Sequence, residues 1–531
     1  MELILNKSVY TPGETVLLKL QGTKKEDISL SVFSLDEEVE QLRLSCEEGE
    51  NEFSLKGNFL PGKGYGIVCI SESGENCRTA FDVQEKTTVF RYGFLSDFST
   101  EESDADIQSL VKHHINAVQF YDWVYRHDSF LPPEDEYSDL MGKHNSLPVI
   151  RKKISQCHEH GLKAIGYGAV YAAGSAFAEK HPEWRLYAEK NRPLKFIDVF
   201  SIMNLRSGWK EHIISEYGKA MDDVGFDGIH MDTYGFPKTA LDADGKVVHL
   251  EDDFVSLISE VRKQHRDSTL LFNNVGAWPA EKTVRTETDA FYIEVWPPFE
   301  KYCHIKELIG MAKTSGKPVI LAAYPAAFRT DTPERGLNAQ LVLMSAIAAH
   351  GATQLWFGED NAAITQGYYA DYYPLPAAHE IALRRYDDFF VRYEELFFDD
   401  ALKDVSMTHC GWDNVEYQCS HRCSVDGRGD TIWLIIREKP GRKLISLLNL
   451  CGDESENWAD GRNDVTDQTE VMLRVQCFGN IKRVLAASPD FEQGNCKKCR
   501  YMLKQDKQGP QLELRLERIH RFSFVLIDTE E

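Results

Sequence analysis

Between residues 90 and 375, short apolar runs alternate with amphipathic stretches, and this alternation narrows the possible folds more than any other feature of the chain. Eight runs have strand character: Tyr92–Leu95, Ala117–Tyr121, Ala164–Tyr167, Gly228–Asp232, Leu270–Asn273, Phe291–Glu294, Val319–Ala322 and Gln354–Phe357. Helical periodicity fills the gaps between them, as in Ile150–His160, Gly208–Val224, Phe254–His265 and Asn338–His350. A repeated switch from period two to period 3.6 predicts a parallel sheet with helical crossovers. Eight such units in about 285 residues match the size of a (β/α)8 barrel. No glycine-rich phosphate fingerprint follows the first strand, which disfavours an open doubly wound sheet.

The flanks have a different texture. Residues 1–86 alternate polar and apolar positions, broken by Pro12-Gly13 and by Pro61-Gly62-Lys63-Gly64, the pattern of short strands joined by turns. Short strands return after residue 380, for example Thr431–Ile436, Leu444–Leu448 and Phe522–Leu526. A chain of 531 residues also exceeds one hydrophobic core. The expected architecture is therefore multidomain: an immunoglobulin-like β-sandwich over 1–87, a catalytic (β/α)8 TIM barrel over 88–378, and a C-terminal β-sandwich of Greek-key type over 379–531.

Charge excludes some partners. With 60 basic and 84 acidic residues the formal net charge is −24. Such a surface repels nucleic acid and anionic membranes and suits a neutral substrate. No apolar run approaches the roughly 20 residues needed to span a bilayer. No basic segment leads into an apolar one at the start, so a cytoplasmic location is expected ahead of secretion, with the twelve cysteines reduced. Cys496 and Cys499, and the group Cys419, His421 and Cys423, lack the partner spacing of a zinc site and read as ordinary thiols. The run Asp242, Asp244, Gly245 starts like a calcium loop, but Asp253 stands where the bidentate glutamate belongs, so it reads as a surface turn. No metal or cofactor is expected, and nothing signals an oligomeric state.

In a (β/α)8 enzyme the chemistry sits at the C-terminal ends of the strands. The fourth strand ends in Asp232 and the sixth in Glu294. Alternation puts His230 on the face of Asp232 and Tyr292 on the face of Glu294. Asp227, at the opposite end of the fourth strand, reads as structural. Paired carboxylates suit glycosidic cleavage, in which one attacks or stabilises the anomeric carbon and the other protonates the leaving oxygen. Asp232 is assigned as nucleophile, kept ionised by His230 and polar backbone. Glu294 is assigned as acid/base, raised by the apolar setting of Tyr292, Val295 and Trp296. After the second strand, Tyr121, Asp122, Trp123 and Arg126 combine aromatic faces with charged planar groups, as sugar binding requires. By the same strand-end logic Tyr167, Asn204, His230, Asn274, Trp296, Tyr324 and Glu359 are candidate substrate-binding residues.

Together the segments 225–232, 292–296 and 119–126 resemble glycoside hydrolase family 66, which contains endo-dextranases and cycloisomaltooligosaccharide glucanotransferases. The resemblance is strongest over residues 88–375. It implies a retaining mechanism on α-1,6-glucan or isomaltooligosaccharides, with the nucleophile at Asp232, the acid/base at Glu294, and Tyr121, Asp122 and Trp123 lining the subsite of the reacting sugar. No carbohydrate-binding module interrupts the end of the barrel, which favours hydrolysis over cyclisation. A non-catalytic carbohydrate-binding protein is the reading from another class, and the two carboxylates count against it.

Overall fold

The computed structural model describes residues 1–99, 104–367, 371–411 and 413–530. Parallel strands run in chain order through its centre. They are Tyr92–Leu95, Ala117–Phe120, Lys163–Ala169, Gly228–Asp232, Thr269–Val275, Phe291–Glu294 and Val319–Ala322, and each pairs with the next. The eighth strand comes in two pieces. Thr353–Gln354 pairs with strand seven, and Phe357–Gly358 pairs with strand one, so the hydrogen bonding returns to where it began. Helices Leu147–Glu159, Trp209–Lys219, Leu250–Gln264 and Pro333–Ala349 fall where the periodicity places them.

Two apolar layers follow from the period of two. Tyr92, Ile165, Leu271, Tyr292, Ile320 and Leu355 belong to a core inside the ring of strands. Their neighbours Ile229, Met231, Leu270, Phe272, Phe291 and Ile293 pack outward beneath the helices. Strands buried on both faces carry near-continuous apolar sequence, as parallel sheets do.

At the N-terminus, a three-stranded and a four-stranded antiparallel sheet enclose one core built around Leu18, Leu30 and Phe81. Beyond residue 402 two further sheets face each other, with Leu434, Leu473 and Val525 packed between them. Residues 377–397, expected to open this β region, instead form helices Ala377–Arg392 and Glu394–Phe397. The reason is legible in the side chains: Leu383, Tyr386, Phe389, Phe390, Tyr393 and Phe397 recur at helical spacing, and all are buried. Phe389 and Phe397 meet Phe522 and Phe524 of the last strand, which ties the C-terminal sheets to the centre. Among the described residues no helix is long and apolar enough to cross a membrane.

Candidate active site

The mouth of the ring lies above a floor of three aromatic groups. His230 stacks parallel to Tyr92 at 5.9 Å, and the Tyr92 hydroxyl lies 3.2 Å from its Nδ1. Tyr292 meets the same imidazole edge-on at 4.7 Å. Burial lowers the His230 pKa to about 3, so the ring is neutral. It does not hold Asp232 ionised, contrary to the expectation from sequence, because its hydrogen bond goes sideways to Tyr92.

One residue higher, Asp232 and Glu294 face each other across strand five. A single amide links them. Asn273 Nδ2 donates to Asp232 Oδ1 at 2.7 Å and to Glu294 Oε2 at 3.0 Å. Two oxygens so close to one nitrogen lie within about 6 Å of each other, short of the roughly 6.5–9.5 Å that inverting pairs require. Tyr167 donates its hydroxyl to the other oxygen of Asp232 at 3.1 Å, and Tyr324 donates to Glu294 Oε1 at 3.0 Å. Trp296 adds a further hydrogen bond to Glu294. Gly367 packs so closely on Glu294 and Tyr324 that any side chain there would collide with them.

Burial is the largest influence on both carboxyls. It raises Asp232, with the charge of Glu294 adding to the effect and the bonds from Asn273 and Tyr167 opposing it, to about 7. Burial raises Glu294 as well, against Asn273, Trp296 and Tyr324. The expected split, with Asp232 freely ionised and only Glu294 raised, is therefore not built into the site. What the site does resist is double ionisation, and one proton shared between two carboxylates is the state that acid/base chemistry needs.

The other candidates divide. Tyr167, Tyr324 and Trp296 reach the pair, and Tyr121 packs edge-on against Tyr167 at 5.0 Å. Asp122 lines the adjoining pocket, its carboxyl pushed up to about 7 chiefly by burial. Trp123 is fully buried, donating its indole N–H to the Tyr167 carbonyl, because a left-handed turn at Asp122 (φ 48°) sends the chain beneath the mouth. Arg126 folds back onto the carbonyls of Tyr125 and Ser138. Asn204 accepts from the Arg206 amide ahead of a helix. Glu359 is 2% exposed and receives Ser96 N, Ser96 Oγ and Asp97 N, which saturates its carboxylate. Trp123, Arg126, Asn204 and Glu359 are thus structural in this geometry. Asp227, accepting from Ala164 N and His158, is structural as expected.

Asn274 is also corrected. It faces outward, bonding the Tyr292 carbonyl and accepting from Thr283, while its neighbour Asn273 carries the site. Adjacent strand residues point to opposite faces, so two asparagines in a row cannot both reach the mouth. Asn273→Ala should cut kcat/KM by about a hundredfold and move the acid limb of the pH profile upward, since both carboxylates lose a donor that favours their charged form. Asn274→Ala should lower thermal stability and leave that limb in place. The reverse pattern in pH–rate and melting measurements would overturn the assignment. Among the described residues no group of three or more His, Cys, Asp or Glu side chains is arranged to hold a metal ion.

Comparison with known proteins fits this geometry. A family model described as glycosyl hydrolase family 66 matches residues 5–526. The chain is 22% identical to a cycloisomaltooligosaccharide glucanotransferase of Niallia circulans, over 98% of its own length and 71% of the relative's. It is 21% identical to a dextranase of Streptococcus salivarius, over 81% of its own length and 62% of the relative's. A solved cycloisomaltooligosaccharide glucanotransferase from a Paenibacillus species, complexed with cycloisomaltoheptaose, shares the fold with a TM-score of 0.90 over 99% of both chains at 20% identity. With a family model matched from one end to the other, the chain belongs to glycosyl hydrolase family 66.

Proposed function

We propose that the protein is a retaining enzyme acting on α-1,6-linked glucan or isomaltooligosaccharides, with the strand ring serving as a (β/α)8 barrel between an N-terminal immunoglobulin-like and a C-terminal β-sandwich. The observation that supports this reading is the Asn273 bridge, whose bonds of 2.7 and 3.0 Å bring an oxygen of Asp232 and one of Glu294 within about 6 Å, nearer to the spacing of a double displacement than to that of inversion. Asp232 attacks C1 of the glucosyl unit, the C1–O6 bond breaks, and Glu294 gives its proton to O6. The product is a β-linked glycosyl ester on Asp232 and a free saccharide. Glu294, now a carboxylate, takes a proton from an incoming hydroxyl that attacks C1 and releases Asp232. Tyr167 and Asn273 hold Asp232 in line, and Tyr324 and Trp296 hold Glu294.

If the incoming hydroxyl belongs to water the reaction is hydrolysis. If it belongs to the other end of the same chain, the product is cyclic. Hydrolysis to shorter linear saccharides is the activity proposed. Chain length does not separate the two outcomes, since this chain covers 99% of a solved glucanotransferase. Incubation with linear isomaltooligosaccharides and, in parallel, with dextran should release shorter linear products. Cyclic or elongated products would move the reading to glucanotransferase, and no turnover of either substrate would overturn the α-1,6 specificity.

A further inference from the structure

The strand Tyr501–Asp506 ends a four-stranded sheet of the C-terminal region and pairs, on one side only, with the strand Gly509–Ile519. All six of its residues are exposed. Three in succession are large and apolar: Tyr501, Met502 and Leu503, at 39%, 57% and 59% exposure. Tyr501 stands opposite Leu514 and Leu503 opposite Leu512, so both lie on the core face of the sheet, beyond the cover of the facing one. Phe478, 65% exposed, packs against Gly509 at the end of the hairpin.

An open sheet edge is usually blunted by a bulge, a proline or a free lysine. This strand keeps an unbroken register and has no proline of its own, and its Lys504 is drawn back onto Glu513. The aim of its backbone groups follows from its neighbour. Pro510 has no N–H, and its carbonyl accepts from Cys477 N on the far side. Gln505, which pairs with Pro510, therefore turns its N–H and C=O away from the sheet. By the alternation of an antiparallel ladder, Leu503 and Tyr501 do the same. A row of outward donors and acceptors is left along the edge.

The charges say what fits there. Among the described residues Arg500 has no partner, and the Asp506 carboxylate meets only the amide of Lys507. If the strand pairs antiparallel with a copy of itself about Leu503, Leu503 faces Leu503 and Tyr501 faces Gln505, all with outward backbone groups. Arg500 then faces Asp506 twice, once on each side of the axis. Moving the axis one residue either way sets Arg500 against Lys504, or Lys504 against itself. The sequence is thus self-complementary in one register and repulsive in the adjacent ones.

We infer that the strand Tyr501–Asp506 is an interface for a second copy of this chain, paired antiparallel about Leu503 so that two four-stranded sheets join into one of eight. The pairing covers the exposed apolar run and brings Arg500 of the second copy to Asp506 and Phe478 of the first. So short a strand buries less than a standard interface, so the dimer is a weak one.

Sedimentation equilibrium of the full chain, from about 1 to about 100 µM in about 0.15 M salt, tests this. The mean mass should rise from one chain towards two. Leu503→Lys sets two ammonium groups face to face on the axis and should weaken association about tenfold or more. Arg500→Asp and Asp506→Arg should each weaken it about tenfold, since each exchanges two attractive pairs for two repulsive ones. The double variant should recover to within about threefold of the parent. Melting temperatures should stay with the parent throughout, because every altered side chain is exposed. A single-chain mass over the whole range would overturn the proposal, as would a dimer indifferent to Leu503→Lys. Failure of the double variant to recover would overturn the pairing. A mass climbing past two chains would overturn it as well, because a twofold pairing uses up the edge.

Discussion

Asp232→Asn should lower turnover by about a thousandfold or more and at the same time make the protein more stable at alkaline pH. The loss follows from chemistry: an amide cannot attack C1 and then leave again. The gain follows from linkage. Burial and the charge of Glu294 push the Asp232 carboxyl from an ordinary 3.8 up to about 7 in the folded protein. Folding therefore binds a proton that the unfolded chain releases near its ordinary value. The stability tied to this group is complete below about pH 4 and is lost as pH rises through about 7. An amide has no charge to bury, so the variant escapes that loss. The advantage at pH 8 has an upper bound of about 4 kcal/mol. Melting curves should separate the two proteins at pH 8 and converge at pH 4. A variant no more stable than the parent at pH 8 would mean that Asp232 is ionised at no cost in the folded state. Near-normal turnover would remove Asp232 from the mechanism.

Glu294→Ala should cost about 10²–10⁴-fold on natural saccharides, the usual range for a lost general acid. On an α-glucosyl fluoride, whose leaving group needs no protonation, formation of the glycosyl ester should proceed while its release stalls. Added azide fits the space vacated by the carboxyl and attacks C1 of the ester. Two inversions then give an α-glucosyl azide. The anomer decides the roles. Were Glu294 the nucleophile, azide would displace fluoride once from the opposite face and give the β-anomer. Nuclear magnetic resonance of the product reads this directly, and a β-azide would exchange the roles of the two carboxyls.

The ring of strands was legible because its signal is repeated eight times, and errors at single boundaries do not accumulate. That Asp232 and Glu294 meet at one mouth was legible because both end apolar strands of the same parallel sheet. Asn273 was passed over for Asn274 for a physical reason. Strand five is apolar on both faces, with Leu270, Leu271 and Phe272 all buried, so no polar alternation reveals which residues point inward. Trp123 and Arg126 were misplaced because the turn at Asp122 leaves no mark in composition. The pocket beside Tyr167 was invisible, since Phe196, Ile197 and Phe200 come from a hairpin far along the chain from Val124 and Leu140. The helices over 377–397 were readable in principle, as their aromatic spacing shows.

The eighth strand has a further consequence. Its second piece meets strand one through the pairing of Gly358 with Phe94. Beside that short pairing the Glu359 carboxylate takes up the amides of Ser96 and Asp97, so a side chain does there what backbone does between the other strands. The ring is in effect a ribbon fastened by a clasp. Asp232 and Glu294 stand on strands four and six, joined through strand five, on the far side from this clasp. A loosened seam would therefore open the ring three strands away from the Asn273 bridge on strand five, without passing through the strands that set the distance between the two carboxylates.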